Sequence, residues 1–118
     1  MIEPINHFDI PSFHLTGTHQ ALALIEETGS KNIKIQYEIY HMQRMEGELA
    51  QTMLTYADSI GHLQIADNPR RGEPGTGEIN YDYLFSVIEK SPYSGWVGCE
   101  YKPLTTTEAG ISWFNRYR

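Results

Sequence analysis

Four strand-type segments, each followed by a helix-type segment, predict an α/β fold with parallel strands. Two further observations narrow this to half of a (β/α)₈ barrel with its helices outside. Strands buried on both faces run continuously apolar, yet three of these four alternate. Glu3, Lys34, Gln36, Glu38, His62 and Gln64 fall on the side away from the helices, as they would in a barrel whose interior turns polar toward its mouth. A complete barrel takes about 250 residues. The chain has 118, so the expectation is one partial barrel domain over residues 1–118, the C-terminal half.

In chain order, 1–5 is a short apolar strand carrying Glu3, and 6–15, with Pro11, is loop. Ala21, Leu24, Ile25 and Thr28 recur at helical spacing from Gly17 onward, and Gly29 supplies the left-handed stop. The clearest strand is 32–40, where Ile33, Ile35, Tyr37 and Ile39 alternate with Lys34, Gln36, Glu38 and Tyr40. A helix is expected from Met45 to Ser59, with Leu49, Met53, Ala57 and Ile60 on one stripe. The next strand, from Gly61, points Leu63 and Ile65 one way and His62, Gln64 and Ala66 the other. A long loop rich in Pro, Gly, Arg and Glu then leads to a helix marked by Tyr81, Leu84, Phe85 and Ile88. The last strand, 95–101, precedes a helix opened by the capping-box spacing of Thr105 and Glu108 and carrying Ile111, Phe114 and Tyr117.

Composition bounds the function. Lys and Arg number 9 against 15 Asp and Glu, a net charge of −6 that disfavours a nucleic-acid partner, which needs a basic footprint. No apolar run approaches a membrane span and no signal peptide precedes the first strand. The single cysteine, Cys99, cannot form an internal disulfide, and together these features predict a cytoplasmic protein. Cys99 alternates away from Glu100 and is expected to pack inertly against the helices. Trp96 and Trp113 are expected to be packing residues, and His7, His14 and His19 to be solvated. Asp67 faces the helix side by parity yet heads the polar loop, so its role stays open.

The chemistry gathers at the strand ends. Glu3, Glu38, Gln64 and Glu100 each lie at or near the C-terminal end of one strand, and in a barrel those ends form one ring. Three crowded carboxylates repel unless a cation sits among them. Carboxylate and amide oxygens suit Mg²⁺ or Mn²⁺, and nothing has the short Cys/His spacing of a structural zinc site. The polar loop after the third strand, at a strand's carboxyl end, is where α/β proteins build ligand sites.

Taken together, Ile2-Glu3-Pro4-Ile5-Asn6, the block Gln36-Tyr37-Glu38-Ile39-Tyr40-His41-Met42-Gln43, the run Gly61-His62-Leu63-Gln64-Ile65-Ala66 with Arg71-Gly72-Glu73-Pro74 and Gly77-Glu78, and Gly95-Trp96-Val97-Gly98-Cys99-Glu100-Tyr101 resemble the hydroxypyruvate isomerase family. That family lies in the xylose-isomerase-like TIM-barrel superfamily, close to the 2-oxo-tetronate isomerases and sugar 3-epimerases. The resemblance covers essentially the whole chain and corresponds to the family's C-terminal half. It implies a metal-dependent aldose-ketose-type isomerase that converts hydroxypyruvate to tartronate semialdehyde through an enediolate. Glu3 and Glu100 match the two glutamates that exchange the proton and also reach the metal, and Gln64 matches a metal-ligating position. His41 and His62 match histidines near the substrate oxygens. Arg71 and Glu73 match the loop over the substrate, with Arg71 the natural partner of a carboxylate. Glu38, a metal ligand by position, stands where the family usually has Asp, and its extra methylene moves the carboxylate by about one bond length, whereas metal distances hold to about 0.2 Å.

An isolated half-barrel would leave two strand edges unpaired and its interior wet. The expectation is therefore a homo-oligomer, or another completing segment, that closes the barrel around a small 2-oxo acid or sugar. Three rival readings stand beside hydroxypyruvate isomerase: a truncated, non-catalytic half-barrel that oligomerises, a 2-oxo-tetronate isomerase or sugar 3-epimerase, and a metal-dependent endonuclease, against which the acidic charge argues.

Overall fold

The structure is a computed structural model that describes residues 1–117. Its centre is a parallel three-stranded sheet, ordered β1 (Ile35–Glu38), β2 (Ile60–Ile65) and β3 (Val97–Cys99). The predicted first strand joins β1 through a single parallel bridge, Ile2 to Ile35. The Ile2 N–H donates to Lys34 O at 3.0 Å, and Gln36 N–H donates to Ile2 O at 2.8 Å. Neighbours in sequence are neighbours in the sheet, which is the order of a barrel wall. In register, Gln36 faces His62, Glu38 faces Gln64, and Gln64 faces Gly98.

One face of this sheet carries the core. Ile35, Tyr37, Leu63 and Ile65 are buried there with Ala21 of α1 (Thr18–Thr28), Met42 of α2 (Ile39–Met45), Leu49 and Met53 of α3 (Leu49–Thr55), and Tyr81 and Leu84 of α4 (Tyr81–Lys90). Burying such side chains contributes about 1.5–3 kcal/mol each, so the apolar half of each strand's alternation fixes which face meets the helices. The polar half, Gln36, His62 and Gln64, is left partly accessible on the other face. Among the described residues no helix is long and apolar enough to cross a membrane.

Several boundaries differ from expectation. β1 stops at Glu38 because that side chain turns back and accepts the Tyr40 N–H at 3.2 Å, which caps α2. Ile39 and Tyr40, expected in the strand, are thereby helical. The helix expected over 45–59 is two helices and a 3-10 turn at Ala57–Ser59. The break falls at Gly47 and Glu48, both with left-handed backbone (φ 67° and 46°). At the C-terminus Thr106, not Thr105, caps, accepting Ala109 N–H at 3.2 Å. The helix α5 (Thr107–Gly110) is short, a 3-10 stretch follows over Ser112–Tyr117, and Ile111 and Phe114 are exposed.

Three packing expectations also change. Trp113 packs, stacked on Phe85 at 6.0 Å and donating from Nε1 to the Tyr101 hydroxyl at 3.2 Å. Trp96 is 85% exposed. Cys99 is exposed, and among the described residues no strand pairs with the outer edge of β3. Its thiol still lines an apolar groove with Ile65, Phe85, Ile88, Val97 and Trp113, where burial pushes its pKa up.

Candidate active site

On the polar face the strand-end side chains form a connected row. The Gln36 Nε2 donates to Glu3 Oε2 at 2.8 Å and to Gln64 Oε1 at 2.6 Å, tying three strand ends together through one amide. Gln36 was expected on this face but not within the site, and strand parity was the signal that could have placed it there. His62 lies over Gly98: a Cβ added at residue 98 would sit 2.7 Å from His62 Nε2, so the bare backbone there gives the imidazole its room.

Glu38 is fully buried, and burial pushes its carboxyl up to about 8. The Tyr40 amide and Arg71 pull it down, while Glu100 and Glu3 add to the rise. Glu3 is raised as well, by burial first and then by Glu100, against the opposing pull of Arg71 and Gln36. Glu100 and Arg71 thus act on both Glu3 and Glu38 with opposite signs. Arg71 binds Glu100 directly, Nη2 to Oε2 at 2.6 Å, and its guanidinium lies over the Tyr40 ring at 5.3 Å.

Among the described residues no three His, Cys, Asp or Glu side chains stand together as a ready cation cage. The oxygens expected around one cation are engaged elsewhere: Glu3 and Gln64 with Gln36, Glu100 with Arg71, and one oxygen of Glu38 with the Tyr40 amide. The other, Glu38 Oε2, is buried with no hydrogen-bond partner. A buried carboxylate oxygen left unsatisfied is costly, and a hard divalent cation is a partner of the right chemistry for it. On that ground the donor set fits Mg²⁺ or Mn²⁺.

His41 is 2% exposed, and its Nδ1 accepts from the Asn6 side-chain amide at 2.6 Å. An amide nitrogen can only donate, so the neutral ring carries its proton on Nε2. Burial, followed by the positive field of Arg71, lowers its pKa to about 4. His41 is thus a neutral donor near pH 7. Asn6, which fixes this tautomer, carried no sequence signal.

The loop bearing Arg71 is built around Asp67, the residue whose role parity left open. Its carboxylate accepts four backbone N–H groups: Asn68 at 2.9 Å, Gly75 at 2.9 Å, Gly77 at 3.0 Å and Ile79 at 3.1 Å. Glu73 was expected at the substrate. In the structure it is buried and takes the Leu104 N–H at 3.1 Å with each oxygen, fastening the loop to the segment after β3. Arg71 itself has left-handed backbone, φ 56°, and is held by its carbonyl's bond from the Lys102 N–H at 2.7 Å. Such a conformation persists where the surroundings over-determine it, often at functional sites.

The family model described as xylose isomerase-like TIM barrel matches residues 1–117. Over 118 residues the chain is 76% identical to hydroxypyruvate isomerase of Escherichia coli (strain K12), covering 100% of this chain and 46% of that protein. It is 44% identical to 2-oxo-tetronate isomerase of Cupriavidus necator, covering 99% of this chain and 45% of that one. A crystal structure described as AP endonuclease, family 2, from Brucella melitensis superposes with a TM-score of 0.93 at 41% identity, over 98% of this chain and 45% of that chain. The chain thus spans about half the length of the relatives it matches. The protein belongs to the xylose isomerase-like TIM barrel family.

Proposed function

We propose that the chain supplies the catalytic half of a divalent-metal-dependent isomerase acting on hydroxypyruvate or a close 2-oxo acid, in the cytoplasm. The observation that supports this reading is the Gln36 amide that ties Glu3 to Gln64 at the strand ends, with the buried Glu38, opposite Gln64 in register, left with an unpartnered Oε2. Moving a carbonyl to the adjacent carbon needs a C–H proton removed on one side and returned on the other. Glu3 and Glu100 are the two carboxylates for that exchange. The raised pKa of Glu3 brings it nearer the range where it both accepts and gives a proton near neutrality.

Arg71 is the donor for the substrate carboxylate, and its contact with Tyr40 sets the plane in which it presents its fork. His41, neutral and protonated on Nε2, offers a hydrogen bond to a substrate oxygen without adding charge. His62 occupies the space above Gly98 on the same face. Glu3, Glu38, Gln64 and Glu100 would hold Mg²⁺ or Mn²⁺. When bound, such a cation supplies stabilisation of the negative charge that develops on the enediolate oxygens. The test is formation of tartronate semialdehyde from hydroxypyruvate by the folded 118-residue chain with Mg²⁺ or Mn²⁺. Absence of turnover with either metal overturns catalysis by this chain alone.

A second reading, a half-barrel that assembles with another copy, is favoured by a specific surface. Among the described residues no strand lies beside the outer edge of β3, and the apolar groove around Phe85 and Trp113, which Val97 and Cys99 of β3 also line, is open. Solution mass tests it: a homodimer supports assembly, and a compact monomer removes it. A nuclease reading has the net charge of −6 against it, and a DNA titration at low salt that shows no binding closes it.

A further inference from the structure

The Arg71–Glu100 pair carries an inference beyond the roles assigned to each residue, resting on the metal reading above. Nη2 of Arg71 is the atom that touches Glu100, and the same fork would have to meet an incoming carboxylate. In the structure the Arg71 guanidinium, 2.6 Å away, is the cation on the Glu100 carboxylate. It therefore does the electrostatic work a divalent cation would do at that place. We propose that Arg71 and a divalent cation compete for the Glu100 carboxylate, so that cation binding frees the guanidinium to take the anionic end of a substrate.

Three features make the exchange feasible. The Glu100 side chain is 53% exposed, and ion pairs of that exposure are weak, so the partner changes at little cost. The guanidinium lies over Tyr40, a contact independent of Glu100 that keeps it oriented when the pair opens. The left-handed backbone of Arg71, tied by the Lys102 N–H, anchors the base of the side chain in both states. By linkage the effect is reciprocal: a carboxylate on Arg71 raises cation affinity by the same factor that the cation raises carboxylate affinity.

The experiment is calorimetric titration of the 118-residue chain with Mn²⁺, without substrate, in the wild type, Arg71→Gln and Arg44→Gln. Arg44 pairs with Asp9 and is the control for loss of one positive charge. Competition predicts that Arg71→Gln binds Mn²⁺ about tenfold tighter, a typical coupling between linked sites, while Arg44→Gln stays within about twofold of wild type. Unchanged or weaker binding by Arg71→Gln overturns the inference, as does an equal tightening in both variants, which would mark a general field effect. Absence of Mn²⁺ uptake by every folded variant overturns the metal reading itself and this inference with it. Should circular dichroism show Arg71→Gln unfolded, Arg71→Lys replaces it; a tightening of at least about threefold supports competition, and no change overturns it.

Discussion

Two loops leave the strand ends on the same side as the site, and they are fastened in opposite ways. The loop over 66–80 is tied by buried acids: Asp67, 1% exposed, gathers four backbone amides, and Glu73, 8% exposed, binds a fifth. The loop over 6–15 is tied mainly through Asp9, itself exposed, which pairs with Arg44 and accepts from the Tyr40 hydroxyl at 2.8 Å and the Asn6 amide at 3.1 Å. It leaves Phe8 and Ile10 exposed at 58% and 46%. Buried charge-assisted bonds to backbone amides hold one geometry, whereas exposed ion pairs contribute little and exchange easily. The first loop is therefore built to present Arg71 at a fixed place, and the second to adapt around what enters the mouth.

The sharpest way to break this contrast is Asp67→Ala. Four backbone donors lose their acceptor together, and unsatisfied buried groups cost about 1–3 kcal/mol each before relaxation. A loss of roughly 3 kcal/mol or more in urea unfolding is expected, together with any activity that depends on Arg71. A loss under about 1 kcal/mol would show that the carboxylate is replaceable by water and the loop is not fixed by it. Next in size is Gly77→Ala. The added Cβ would lie 2.0 Å from Asn68 O, a backbone atom, and 2.6 Å from Asp67 Oδ1, so the loop must move. Overpacking of this kind costs about 1–3 kcal/mol, and the same unfolding measurement checks it.

His41 extends the comparison to pH, because it joins the second loop's Asn6 to the first loop's Arg71 field. Its folded pKa, about 4, lies below the ordinary 6.5. The native state therefore binds fewer protons than the unfolded chain in that window. Its contribution to stability is complete above about pH 6.5 and is lost as pH falls toward 4. Thermal unfolding of His41→Gln across that range should show a flatter acid limb than wild type. Parallel limbs would mean the imidazole is solvated and free to protonate in the folded chain.

Much of this was legible in the alternation of β1 and β2, since period-2 patterning alone placed Glu38, His62 and Gln64 on the polar face and Leu63 and Ile65 in the core. Where β1 ends was not legible, because it depends on the Glu38 side chain choosing a local backbone amide over extension. Nor was the break before α3, where Gly47 and Glu48 turn left-handed within a stripe of good helix formers. Asp67 and Glu73 read as loop acids among many, and only the folded loop shows which amides converge on them. The exposure of Trp96 and Cys99 goes with the edge of β3, unpaired among the described residues, a property of the sheet and not of the residues.

The smallest effect expected is at the second loop, and it separates adaptability from mere looseness. In Asp9→Ala the carboxylate that binds Arg44, Tyr40 and Asn6 is gone. Burial pushes that carboxyl up, but the bonds from Asn6, Tyr40 and Arg44 outweigh it and hold it below its ordinary value. The pair is accessible on both sides, with side-chain exposures of 25% and 32%, so the stability cost should be no more than about 1 kcal/mol. Hydrogen exchange gives the decisive readout. Amides of 7–14 should exchange faster in Asp9→Ala while those of 67–79 keep wild-type protection, because Asp9 and Asp67 have no hydrogen-bond partner in common. Faster exchange in both would show that Tyr40, which touches Asp9 on one side and Arg71 on the other, transmits motion between them, and the division into a fixed loop and an adaptable one would give way to a single coupled mouth.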